Sequence, residues 1–222
     1  MEALIIVDQQ ADFEPNGALA VSGGDEIAQP IAEFSRNFDL IVGTQDSHPA
    51  HHISFASSYS GKKPFELLQL DEVESGRIES PYFSRRQLED YLKKIPQKMQ
   101  VLWPDHCVQG TAGWKLNPLL PLSRMNLILQ KGTRSDCDSY SAFFENDGTS
   151  TGLAGYLKDR GVSKVVLVGL AGDYCVGWSA KDAKRLGFDV TFRSDLTRYV
   201  NFPAGSREKT LQELASLGVN VL

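Results

Sequence analysis

Short apolar runs alternate along the chain with stretches of helical spacing. Leu4 to Val7, Leu40 to Val42, Leu127 to Leu129 and Val165 to Val168 predict central strands, and Val190 to Phe192 and Val219 to Leu222 predict two more. The first and fourth runs are continuous and rich in β-branched residues, as in strands covered on both faces. Between them, Asp25 to Phe38, Gly152 to Arg160, Val176 to Leu186 and Ser206 to Leu217 place apolar residues three or four apart and predict helices. Gly161, Gly187 and Gly218 each stand between a predicted helix and the next strand, where a left-handed C-cap is wanted. Strand–helix alternation of this kind implies a three-layer α/β/α fold with a mostly parallel central sheet.

Residues 57–100 break the rhythm. This stretch carries Lys62, Lys63, Asp71, Glu72, Glu74, Arg85 and Arg86 and shows no strand pattern; it predicts a long charged surface excursion with one short helix near Gln87 to Lys94. The 222 residues suit one well-buried α/β domain, 1–222, rather than two.

Charge and hydropathy narrow the function class. A net charge of -5 argues against a nucleic-acid partner, which calls for a basic excess. No apolar run approaches the roughly 18 residues a membrane span requires, so no membrane partner is expected. Glu2 precedes the first apolar run and Asp8 ends it, which reads as a buried first strand and not as an export signal. An intracellular, cytoplasmic location follows as the expectation, with Cys107, Cys137 and Cys175 as free thiols.

In open parallel sheets ligands sit outside the carboxyl ends of the strands, so the residues at those ends carry weight. The first strand ends at Asp8, the third at Lys131, and the fourth runs through Gly169 to Tyr174 into Cys175, where a helix begins. Each has a plainer reading alone: a turn residue, a solvated lysine, a packed thiol. Together they form a nucleophile, a base and a cation. A helix N-terminus and a nearby ammonium both favour a thiolate, which predicts a lowered Cys175 pKa. Asp8 can take the thiol proton and return it to a leaving amine. The backbone N–H groups of Ala171 and Cys175 are candidates for an oxyanion hole.

Histidine is scarce and clustered. Of four, three lie in Gln45-Asp46-Ser47-His48-Pro49-Ala50-His51-His52, and the fourth is His106. Asp46 and His48, two apart on an extended segment, can share one ion, with His106 as a remote third ligand. A carboxylate with imidazoles suits one divalent first-row cation, zinc by first choice, manganese or iron otherwise. The plainer reading is a polar loop. His51 reads as solvated, and His52 as either a fourth ligand or a hydrogen-bond partner behind the ligands.

These residues lie in segments that resemble the nicotinamidase branch of the isochorismatase-like cysteine hydrolases: ALIIVDQQADF from Ala3, TQDSHPAHHISF from Thr44, LWPDHCVQGT from Leu102, KGTRSDCDSYSAF from Lys131 and VGLAGDYCVGWSA from Val168. The resemblance runs from Ala3 almost to the C-terminus, with residues 57–100 poorly matched. It implies an isochorismatase-like fold, hydrolysis of nicotinamide to nicotinate and ammonia in NAD salvage, a triad of Asp8, Lys131 and Cys175, and metal ligands Asp46, His48 and His106, with His52 as a fourth in some relatives. It further implies that the metal meets the pyridine nitrogen, that Phe13, Trp103 and Tyr140 line the ring pocket, and that a cis peptide precedes Ala171. Asn16 stands where many relatives have glycine, and Gly172 is smaller than the usual residue. The excursion reads as a lid or a subunit contact, which leaves a homo-oligomer open. The rivals are the same triad acting on another small amide or carbamoyl compound, and a catalytically silent binding member of the fold.

Overall fold

A computed structural model describes all residues, 1–222. The chain begins with β1 (Glu2–Val7), whose residues after Glu2 are all buried, and continues through α1 (Ala28–Phe34) to β2 (Leu40–Asp46), buried throughout. The segment that follows holds β3 (Leu67–Gln69), α2 (Leu70–Glu74), α3 (Arg85–Lys94) and β4 (Met99–Val101). The second half returns to strict alternation: β5 (Leu127–Lys131), α4 (Leu153–Asp159), β6 (Lys164–Gly169), α5 (Cys175–Arg185), β7 (Asp189–Thr197), α6 (Ser206–Ser216) and β8 (Asn220–Val221).

Six strands pair in the order β5-β2-β1-β6-β7-β8, and every pairing is parallel. Successive side chains of a strand point to opposite faces, and β1 shows the consequence. Ala3, Ile5 and Val7 join a core with Leu157, Val176 and Leu214 of α4, α5 and α6, while Leu4 and Ile6 join another with Ile27 and Ile31 around α1. The expected three layers and parallel sheet are therefore present. The predicted helix over 25–38 is shorter, because the chain tightens into a 3-10 turn at Ser35–Asn37. Gly161, Gly187 and Gly218 all have positive φ just past α4, α5 and α6, as the C-cap pattern requires.

Residues 57–100 differ from expectation. They are no structureless excursion: β3 and β4 form an antiparallel pair, and a third core gathers Tyr59, Leu68, Val73, Leu88, Leu92 and Ile95 among others. The strands are three residues long, below the length at which alternation is readable. The charged residues lie on the outer face in pairs such as Lys62–Glu72 at 3.1 Å and Arg85–Glu89 at 2.9 Å. The helix predicted near 87–94 starts two residues earlier, where Ser84 caps it by accepting from the Gln87 N–H and the Gln87 side chain accepts from the Ser84 N–H.

Candidate active site

The sheet order decides which strand ends meet. Lys131 ends β5 and Asp8 follows β1, with the end of β2, Asp46, between them. Neighbouring strands lie about 4.8 Å apart, so only a long side chain crosses from β5 to β1. Lys131 does so, fully buried, and its ammonium is 2.9 Å from Asp8 Oδ2, 2.9 Å from Asp46 Oδ1 and 3.5 Å from Cys175 Sγ, while it donates to the Ser139 carbonyl at 2.8 Å. Asp8 has φ 46°, which turns the chain off the strand, and its Oδ1 accepts from the Thr44 hydroxyl at 2.7 Å. Asp8 Oδ2 meets the ammonium as an ion pair but accepts no hydrogen bond, so a lone pair there stays free.

Burial governs the protonation of this group. It raises the Asp8 carboxyl against the pull of Lys131, and Asp46 adds to the rise. Burial also opposes the ionised form of Asp46, yet the charges of His48 and Lys131 hold that carboxyl well below its usual range. Lys131 keeps its proton despite burial because two carboxylates face it. For Cys175 the lowered pKa expected from the sequence does not hold in the resting site. Desolvation pushes the thiol well up, and the charges of Asp8 and Asp46 work against the help from Lys131. The residue is only 7% exposed, so a thiolate there would lose most of its water. The thiol thus keeps its proton in the resting site, and the Asp8 carboxyl lies beside the same ammonium.

β6 leads into the turn that presents Cys175. The Leu170–Ala171 peptide is cis, as the resemblance implies. The Ala171 carbonyl accepts from Tyr174 and Val176, whereas the N–H groups of Ala171 and Cys175 donate to no acceptor within the chain. A Cβ at Gly172 would lie 2.4 Å from the Tyr199 ring and 2.7 Å from Thr197 Cγ2, which accounts for the small residue. Asn16 adopts φ 70°, the left-handed conformation for which a glycine is the other natural choice.

Asp46, His48 and His106 bring one ligand atom each within 4.8 Å of one another, all buried. Nδ1 of His48 bonds the Gly132 carbonyl at 3.0 Å and Nδ1 of His106 bonds the Pro104 carbonyl at 2.8 Å. A nitrogen bonded to a carbonyl must carry the proton, so each ring turns Nε2 toward the cluster, 3.0 and 3.4 Å from Asp46 Oδ2, where a cation would displace any second proton. Two imidazoles with fixed tautomers and a carboxylate fit a divalent cation with open positions. His52 packs 4.1 Å from the His48 ring, but its Nδ1 lies 2.8 Å from the Ser54 hydroxyl and its Nε2 3.1 Å from the Cys137 carbonyl, so both nitrogens are engaged elsewhere. Burial keeps it neutral. His51 is exposed and stacks on Tyr82. All three cysteines are free.

Phe13, Trp103 and Tyr140 line one small cavity together with Ala171, Cys175, Asp46 and His106. It is a narrow cavity, with a free volume of about 30 Å³. Larger grooves exist, one of about 560 Å³ between α5 and α6, but it contains neither the thiol nor the histidines. Several site residues carry no sequence signal. Tyr174 joins the wall, Thr44 and Ser139 hold Asp8 and Lys131, and Asp138 lines the cavity; Gln10 clamps Asp46, accepting from its N–H at 2.7 Å and donating to its carbonyl at 2.8 Å. The doublet of glutamines after Asp8 is the one hint that was available for the last.

The isochorismatase domain profile matches residues 2–222. The nicotinamidase of Acinetobacter baylyi is 44% identical over 218 residues, covering 98% of this chain and 90% of that protein. A solved nicotinamidase/pyrazinamidase of Acinetobacter baumanii superposes with TM-score 0.85 at 39% identity, covering 100% of this chain and 95% of that one. The pyrazinamidase of Pyrococcus horikoshii in complex with zinc gives TM-score 0.71 at 34% identity, covering 100% and 98%. With the profile spanning the chain and a relative this similar matched nearly end to end, the chain belongs to the isochorismatase family, in its nicotinamidase branch.

Proposed function

We propose that this chain hydrolyses nicotinamide to nicotinate and ammonia, with Cys175 as nucleophile, Asp8 as general base and acid, and Lys131 as the fixed positive charge between them. The observation that carries the reading is the Lys131 ammonium, which lies within 3.5 Å of Asp8, Asp46 and Cys175 at once. The nicotinamidase of Acinetobacter baylyi, 44% identical, supplies the substrate class.

Asp8 Oδ2 accepts the thiol proton as Cys175 Sγ adds to the carboxamide carbon. The carbonyl oxygen becomes an oxyanion that the free N–H groups of Ala171 and Cys175 stabilise. Asp8 then protonates the amine, the C–N bond breaks, and ammonia leaves a thioester. Asp8 next deprotonates a water, which attacks the thioester carbon; the C–S bond breaks, the acid is released as nicotinate, and the thiol regains its proton. Through all of this Lys131 stays protonated and offsets the negative charge as it shifts between sulfur and carboxylate. Asp46, His48 and His106 would hold the metal. When bound, a divalent cation, zinc in this proposal given the Pyrococcus horikoshii complex, supplies a Lewis acid that fixes the pyridine nitrogen. Phe13, Trp103 and Tyr140 pack against the ring.

Ammonia release from nicotinamide tests the reading. The wild-type protein should be active, and Cys175→Ala should lose more than roughly 10³-fold in kcat/KM, since removal of a covalent nucleophile costs at least that much. A Cys175→Ala protein that released ammonia at the wild-type rate would refute the covalent route.

A further inference from the structure

The 57–100 segment meets the cavity's lining residues through Phe65, whose ring packs edge-on against Trp103 at 5.9 Å, and through one buried polar side chain. Gln100, in β4, is 1% exposed and does not line the cavity, yet its amide touches the residues that do. Nε2 lies 2.8 Å from Asp138 Oδ2, 3.0 Å from Tyr140 Oη and 2.8 Å from the Val101 carbonyl, its two protons shared among the three acceptors. Oε1 accepts from the Tyr91 hydroxyl of α3 at 2.5 Å. The amide has one workable orientation: turned over, its oxygen would face a carboxylate and a carbonyl with no proton between them. Tyr140 Oη also accepts from Trp103 Nε1 at 3.2 Å. With two donors on the phenol oxygen, its own proton is the only polar function left to offer. Gln100 therefore ties together Asp138, Tyr140 and, through Tyr140, Trp103, all of which face the same cavity as Cys175.

We infer that Gln100 is a positioning residue for substrate recognition: by its buried amide the 57–100 segment sets the wall against which the substrate ring binds. This rests on the nicotinamidase reading and assigns the segment a role inside each protomer, as a buttress and not as a lid. Loss of the amide leaves Asp138 Oδ2 without its donor and Tyr140 Oη with Trp103 alone, and lets the wall relax, which weakens binding without touching the triad.

Gln100→Met keeps the length and removes both donors. With nicotinamide as substrate, KM should rise about tenfold, while kcat stays within about threefold and bound zinc per chain is unchanged. Tyr140→Phe should raise KM as well, and Gln100→Met combined with Tyr140→Phe should be no worse than Gln100→Met alone, because both act on the same wall. An unchanged KM with a lowered Tm would reduce Gln100 to a fold-stabilising residue, and multiplying effects in the double variant would show that it does not act through Tyr140; either overturns the inference. Should Gln100→Met fail to fold, Tyr91→Phe removes only the donor to Oε1 and should raise KM in the same direction by a smaller factor; no change there overturns it too. A wild-type protein inactive on nicotinamide would sink the proposed function and this inference with it, whereas an active one with a flat KM sinks the inference alone.

Discussion

Glu145 illustrates how a single half-buried carboxyl shapes behaviour outside the reaction. Its Oε2 accepts no hydrogen bond, and burial raises its pKa despite the Ser139 contact and the charge of Lys131. In the unfolded chain a glutamate ionises near about 4.3, so between that value and the raised folded one the native state binds more protons than the unfolded state. Stability must then fall as pH rises through this window. Glu145→Gln has no proton to lose there, so its stability relative to wild type should improve with pH from about 4 across this window and level off above it, as read from urea unfolding at a series of pH values. A difference that stayed constant with pH would mean the carboxyl titrates as it does in the unfolded chain. Cys175 makes the same point within the site. Its neighbours are those the sequence suggested, but the depth of its burial is a sum over the whole fold, and that sum reverses the expected direction of its shift.

Among elements, the pairing of β1 with β2 matters most, because it places Asp46 beside Asp8 and within reach of His106. Gln10, just past β1, reinforces it: one side-chain amide satisfies both the N–H and the carbonyl of Asp46 and also donates to the Trp114 carbonyl at 2.9 Å. Gln10→Leu leaves the two backbone groups of Asp46, a proposed metal ligand, buried and unpaired. Zinc affinity, measured by competition with a chromophoric chelator, should fall by roughly 10- to 100-fold, the usual effect of removing support behind a ligand. An unaltered zinc affinity would restrict Gln10 to holding β1 and β2 together. Element scale is also where the reading of 57–100 failed. Its helix announced itself through Ser84 and Gln87, but β3 and β4 exist only because each pairs with the other across the segment.

For the whole molecule, the apolar side chains form three cores: one under α4, α5 and α6, one under α1, and one that belongs mostly to the 57–100 segment. Asp46 comes from β2 and His106 from a loop that packs on the second core through Trp103 and Cys107, so a cation joining them ties separate parts of the chain together. A ligand that binds only the folded state stabilises it by about 2.7 kcal/mol at a hundredfold excess over its Kd. Chelation should therefore lower Tm, and added zinc should restore it; a Tm indifferent to both would remove Asp46, His48 and His106 from consideration as a metal site.

The order of elements, the parallel sheet and the candidate reacting residues were readable in the chain itself, because hydrophobic period, capping residues and the position of a polar side chain at the end of an apolar run are local properties. Which strands are neighbours, that Lys131 must span β2 to meet Asp8, that both nitrogens of His52 are already taken and that Gln100 holds the cavity wall were settled only by folding. Those facts depend on partners tens of residues away, and a polar side chain looks the same in sequence whether its partner is water, a backbone carbonyl or a catalytic carboxylate.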